Sequence, residues 1–79
     1  MSKQWGSNDA KDTKIMQNLN INMNVLFAIA NDSIYNTENS YTLEYFVAWN
    51  KQLTTTKQVC FLTNKTNINQ YSWYVLGYL

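Results

Sequence analysis

The chain has 79 residues, of which 46% are apolar and 14% charged, and six lysines against five acids leave a formal net charge of +1. It contains no histidine, arginine or proline, and its one cysteine is Cys60. One copy therefore cannot build a Cys/His zinc site or an imidazole-assisted nucleophile. The length fits one domain, and the missing residue types argue for a protein that is not an enzyme and holds no cofactor or metal.

Residues 1–12 are polar and lack apolar periodicity, so they predict a mobile N-terminal arm ahead of a single domain over residues 13–79. Trp5 is the aromatic exception in this arm. It either folds back over a small core, which we favour, or anchors a partner.

Residues 15–30 fit two patterns. Apolar side chains occupy every odd position from Leu19 to Ile29, which predicts a half-buried strand. A helical stripe that begins at an N-cap at Asp12 or Thr13 uses many of the same residues. Three asparagines within five positions lower helix propensity, so we prefer the strand and keep the helix as the alternative.

A polar loop over residues 31–40 precedes the clearest helical pattern of the chain. Ser40 is a suitable cap for a helix over residues 41–53, whose apolar side chains spread over a wide arc. Tyr45 and Trp49 lie at one edge of this arc, where a partner could cover them.

Three threonines, residues 54–56, break the helical pattern, and β-favouring segments follow at 57–63 and 69–78. Turn residues at 64–67 separate these segments, which predicts a C-terminal β-hairpin. The last segment is apolar on both faces, so we expect it to be central in a sheet or covered by a second subunit. Gly77 within it indicates a bulge or a close backbone approach.

The predicted fold is therefore α+β, with element order β-α-β-β and one amphipathic helix packed on an antiparallel sheet of three or four strands. The first ten residues lack the apolar core of a secretory signal, and no apolar run approaches the ~20 residues of a membrane helix. We expect a soluble, cytoplasmic protein that does not bind membranes.

Two binding functions compete. Phe61, Tyr71 and Trp73 alternate as a sheet platform for single-stranded nucleic acid would require, but six lysines offset by five acids neutralise phosphates poorly. The same three rings also fit the core of a small sheet, which we favour over a base platform. The aromatic residues, including three Trp and six Tyr, exceed what a thin core buries, and such residues are enriched at protein interfaces. The residues predicted to contact a partner protein are Tyr45, Trp49, Tyr71, Trp73 and Tyr78.

The sequence thus predicts a small non-enzymatic protein-interaction module, with nucleic-acid binding as the alternative. Lysine without arginine and 12 asparagines are typical of an AT-rich gene. This usage favours a phage or mobile-element protein that binds and inhibits or modulates a host protein in the host cytoplasm. The near-zero net charge also makes a homodimer an option.

Overall fold

The computed structural model describes residues 1–32 and 47–79 of the chain. Six strands form two three-stranded antiparallel sheets, sheet A with the order β1-β6-β3 and sheet B with the order β2-β5-β4. The described residues contain no helix, so the prediction of an α+β fold is wrong. The strands are β1 (Ser2–Ala10), β2 (Lys14–Asn18), β3 (Asn24–Asp32), β4 (Val47–Asn50), β5 (Gln58–Thr63) and β6 (Ile68–Tyr78).

The predicted helix over residues 41–53 is replaced by strand structure where the chain is described. Residues 41–46 lie outside the described residues, together with Tyr45 and the Ser40 cap. Val47–Asn50 form β4 and pair with β5, and a turn follows. β-Branched Val47 and aromatic Trp49 suit a strand, and both pack against the core, so cross-strand packing overrides the helical periodicity.

The prediction of a C-terminal hairpin is also wrong, although both of the predicted strands are present. β5 lies between β2 and β4, whereas β6 lies between β1 and β3, so the two strands belong to different sheets. The connection at 64–67 ends on Asn67, whose φ is 57° and whose N–H donates to the carbonyl of Lys11 at 3.1 Å. The central position of β6 confirms the expectation from its apolar faces.

Most of the predicted N-terminal arm is a strand. β1 pairs with β6 from Ser2 opposite Gly77 to Ala10 opposite Ile68. Gln4 and Ala10 point into the core, whereas the odd-numbered side chains are exposed. The arm prediction failed because this edge strand carries few apolar residues, and its stability comes from pairing with β6.

Residues 15–30 contain strand and no helix, in agreement with the preferred interpretation. They do not form one strand, because they span parts of β2 and β3 and the loop between them. A register shift between Val25 and Phe27 shows that Leu26 is an extra residue in β3, a β-bulge. Because one extra residue exchanges the two faces of a strand, Ala28 and Ala30 are buried, whereas Phe27 and Ile29 are exposed. The predicted odd-numbered apolar face is therefore wrong beyond the bulge.

The hydrophobic core lies between the two sheets. Phe61 of sheet B and Tyr71 of sheet A meet there edge to face, with ring centroids 6.4 Å apart. Small side chains at Ala28 and Ala30 stand opposite the larger Val75 and Trp73 of β6, so large and small residues complement each other across the strands. In the part of the chain that is described, no helix is long and apolar enough to cross a membrane.

Candidate functional site

The outer side of sheet A carries a cluster of apolar and aromatic side chains. The strand registers place Trp5 beside Tyr74 and Tyr74 beside Ile29, forming one row across all three strands. Leu76 and Phe27 form the next row, and Tyr78 follows on β6. We call this surface the aromatic face, and it consists of Trp5, Phe27, Ile29, Tyr74, Leu76 and Tyr78.

The aromatic face is open to solvent. Trp5 is 68% exposed, Phe27 is 47% exposed and Ile29 is 46% exposed. A polar row bounds the face on one side, where the hydroxyl oxygens of Ser7 and Ser72 lie 3.3 Å apart. A contiguous apolar surface with a polar border is typical of an interaction site.

Few charges accompany these residues. The strands of sheet A contain one lysine, Lys3, and two acids, Asp9 and Asp32. Lys3 pairs with Leu76 and therefore lies at the border of the aromatic face. One ammonium group can neutralise one phosphate at most, so the face is better suited to a neutral, apolar surface than to a nucleic-acid backbone.

The residues predicted to contact a partner are not brought together. Tyr71 and Trp73 are buried in the core, with 1% and 5% of their surface exposed. Trp49 is half-buried in β4, and its ring meets Phe27 edge to face at 6.2 Å, at the border of the aromatic face. Tyr78 is 51% exposed and belongs to the face, whereas Tyr45 lies outside the described residues.

The proposed nucleic-acid platform of Phe61, Tyr71 and Trp73 is entirely in the core, so these rings cannot stack on bases in the folded chain. Sequence reasoning missed Phe27 and Ile29 because the bulge at Leu26 exchanges the faces of β3. Trp5 gave a detectable signal as an aromatic residue in a polar segment. It does not fold back over the core but stands exposed on the outer side of β1.

A shallow groove of about 280 Å³ separates the start of β3 from the β4–β5 turn. The described residues that line it supply threonine hydroxyls, an amide and one ammonium group, and none of them carries a carboxylate or thiol for acid–base or nucleophilic work. The groove is ordered by Thr54, whose hydroxyl accepts from Trp49 Nε1 at 2.9 Å and donates to the Asn50 carbonyl at 2.8 Å. Its lining residues are Met23, Asn24, Val25, Trp49, Lys51, Thr54, Thr55 and Thr56.

The single thiol is part of the structure of β5. Cys60 is buried, and burial raises the pKa of its thiol despite the opposing charge of Lys14. The thiol is therefore protonated at neutral pH, which suits a core residue and not a nucleophile. Among residues 1–32 and 47–79, no three His, Cys, Asp or Glu side chains lie close enough to hold a metal ion.

Comparisons with protein-family models, with curated proteins and with solved structures found no match to this chain.

Proposed function

We propose that the chain is a non-enzymatic protein-binding domain and that the aromatic face is its contact surface. The observation that carries this proposal is the row of Trp5, Tyr74 and Ile29 across three strands. Trp5 is 68% exposed although a core lies on the other side of the same sheet. A rigid indole in this position gives a large contact area at a small cost in side-chain entropy, which is typical of an interface hot spot.

The surroundings of the face indicate the chemistry of the partner. A sheet three strands wide gives a patch of a few hundred Å², smaller than the ~800 Å² per partner of a standard interface. The patch would form the centre of an interface, with Ser7, Ser72 and Asn31 in its polar rim. Its partner surface should be apolar and flat, with acceptors for the Trp5 indole N–H and few charges.

Low charge also has a kinetic consequence. With Lys3 as the only lysine in sheet A, electrostatic steering contributes little to association. Binding should change little with ionic strength. If the AT-rich composition reflects a phage or mobile element, the partner is a host protein in the cytoplasm, and covering its apolar surface would inhibit or modulate it.

The test is quantitative affinity capture with three forms of the tagged chain: wild type, a Trp5→Ser/Ile29→Ser variant and a matched control. Met16→Ser/Leu62→Ser is the control, because both side chains are exposed on the outer side of sheet B, at 37% and 40%. We expect a protein that is retained by wild type and control and lost by the sheet A variant. Equal retention by both double variants would contradict the assignment of the aromatic face.

Single-stranded nucleic acid is the alternative occupant, because Trp5 and Tyr74 lie side by side on a sheet as stacking platforms require. Titration of labelled oligonucleotides at low and moderate salt separates the two functions. A nucleic-acid binder loses affinity steeply as salt rises, whereas the proposed protein interface does not. Binding of oligonucleotides that is abolished by Trp5→Ser would favour the alternative.

A further inference from the structure

Among the described strands, β1 is paired along one edge and open along the other. It lies at the end of sheet A, where it pairs with β6, and no other described strand pairs with it. The strand is nine residues long, contains no proline and has only one lysine, Lys3. An open edge of this length presents a row of N–H and C=O groups that can pair with another strand.

The sequence of β1 fits an antiparallel copy of itself. A twofold axis perpendicular to the sheet pairs residues that lie on the same face of the sheet. The axis must therefore run midway between the two copies of one residue. Gly6 is the midpoint of Ser2–Ala10, so centring the axis there gives the greatest overlap. In this register Lys3 faces Asp9 of the second copy, and Trp5 faces Ser7.

The charges favour this register over the registers that are shifted by two residues. Lys3 and Asp9 are both exposed, Asp9 beside the register irregularity between Asn8 and Ala10, and neither makes an ion pair with another described residue. A shift of two residues would place Lys3 opposite Ser7 or opposite Lys11 of the other copy. The register with the greatest overlap is thus the one in which the two charges complement each other twice, once on each side of the axis.

We infer that two copies of this chain pair through β1 and form one continuous six-stranded sheet. The pairing satisfies the backbone groups of both open edges and places two symmetric Lys3–Asp9 ion pairs across the interface. The two Trp5 residues become diagonal neighbours, with Cα atoms about 7–8 Å apart, so the aromatic faces of both copies join into one surface. This inference concerns self-association and does not depend on the identity of the partner in the proposed function.

Charge exchange tests the register. We propose sedimentation equilibrium of the full chain as wild type, Lys3→Glu, Asp9→Lys and the double variant. Each single change replaces two attractive charge pairs by two repulsive ones. It should therefore raise the dissociation constant of the dimer about tenfold. The double variant restores opposite charges and should return to within a few-fold of wild type. Lys14→Glu is the matched control, because this exposed lysine lies in β2 of sheet B and should leave the dimer unchanged.

Circular dichroism on each variant monitors the fold, which should persist because both charged side chains are exposed. A wild-type chain that stays monomeric at millimolar concentration would overturn the inference. So would a dimer that both single variants leave intact, or a loss in the single variants that the double variant does not reverse. Loss of partner capture by Trp5→Ser/Ile29→Ser with an intact dimer would support the proposed function separately.

Discussion

The hydroxyl of Tyr71 donates a hydrogen bond to Oε1 of Gln17, and this contact joins β6 of sheet A to β2 of sheet B inside the core. Gln17 completes its own hydrogen bonding by donating from Nε2 to the carbonyl of Asn18 at 3.0 Å. None of the buried side-chain polar atoms in the described residues lacks a partner. A polar contact within an apolar core restricts how the two sheets can slide over one another.

Tyr71→Phe should therefore lower the free energy of unfolding by about 1–3 kcal/mol, because it leaves Oε1 of Gln17 buried without a donor. Urea unfolding followed by tryptophan fluorescence measures this loss. The double variant Tyr71→Phe/Gln17→Leu removes both partners and should be less destabilised than the sum of the two single changes. Additive effects of the single changes would show that the contact contributes nothing specific.

The same hydroxyl predicts a loss of stability at alkaline pH. Burial raises the pKa of Tyr71 to about 12, and the negative charge of Asp9 adds to this increase. In the unfolded chain a tyrosine loses its proton near pH 10, so between about pH 10 and 12 the folded state binds more protons than the unfolded state. The contribution is complete below pH 10 and disappears as the pH rises to 12, a loss of about 2–3 kcal/mol.

Urea midpoints measured from pH 8 to pH 12 check this prediction, with Tyr71→Phe as the control. The wild type should lose stability across the upper half of this range more steeply than the variant, which lacks the titrating group. Parallel curves for the two proteins would show that Tyr71 does not carry the alkaline transition.

Sequence patterns located the strands better than they assigned the faces. The alternation in β5 and β6 predicted both strands close to their observed bounds and grouped Tyr71, Trp73 and Val75 correctly on one face. That the shared face is the core could not be read from the alternation, because both faces of β6 are apolar. The pairing of β5 with β2 and β4 was likewise hidden, since turn residues at 64–67 suit a hairpin and a crossing between sheets equally well.

The aromatic face depends on two features that local patterns do not reveal. The bulge at Leu26 turns Phe27 and Ile29 outward, and no residue in that apolar run marks the insertion. β1 is recruited by backbone pairing with an apolar neighbour, so its polar sequence resembles that of a mobile arm. The exposed position of Trp5 was one of two alternatives that its polar surroundings left open.

Gln4 anchors the loop between β2 and β3 to the inner side of β1. Its Nε2 donates to the Ile21 carbonyl at 2.6 Å, and its Oε1 accepts from the N–H groups of Asn20 and Ile21 at 2.7 and 3.1 Å. Gln4→Ala should lower the free energy of unfolding by about 2–3 kcal/mol, because three backbone groups of the loop lose their hydrogen-bond partner. Gln4→Glu keeps both acceptor contacts but places a carboxylate oxygen of a buried side chain against the Ile21 carbonyl, so it should be destabilised at least as much as Gln4→Ala at neutral pH.

Hydrogen exchange resolves the mechanism of this loss. Amide protection of Asn20 and Ile21 should fall in Gln4→Ala by more than the change in global stability requires, because those N–H groups lose their acceptor directly. Protection that falls only in proportion to global stability would indicate that the loop does not depend on this side chain.

Gly77 of β6 lies opposite Val25, beside the bulge in β3. A Cβ atom at this position would overlap the carbonyl oxygen of Asn24 and approach Met23 Sδ to 3.1 Å. Gly77→Ala should destabilise the fold by about 3 kcal/mol or more, because the obstacle is backbone held by the strand pairing. Gly6→Ala is the informative comparison, since the three atoms nearest to its Cβ would all belong to the Trp73 side chain, the closest at 3.0 Å.

The indole of Trp73 can shift within the core, whereas the Asn24 carbonyl cannot move without breaking the register that the bulge defines. Gly6→Ala should therefore lower the free energy of unfolding by about 1–2 kcal/mol, distinctly less than Gly77→Ala. Thermal unfolding of both variants measures the difference. Equal losses would mean that β3 yields as readily as a side chain, and then the bulge at Leu26 would not fix which residues of β3 reach the aromatic face.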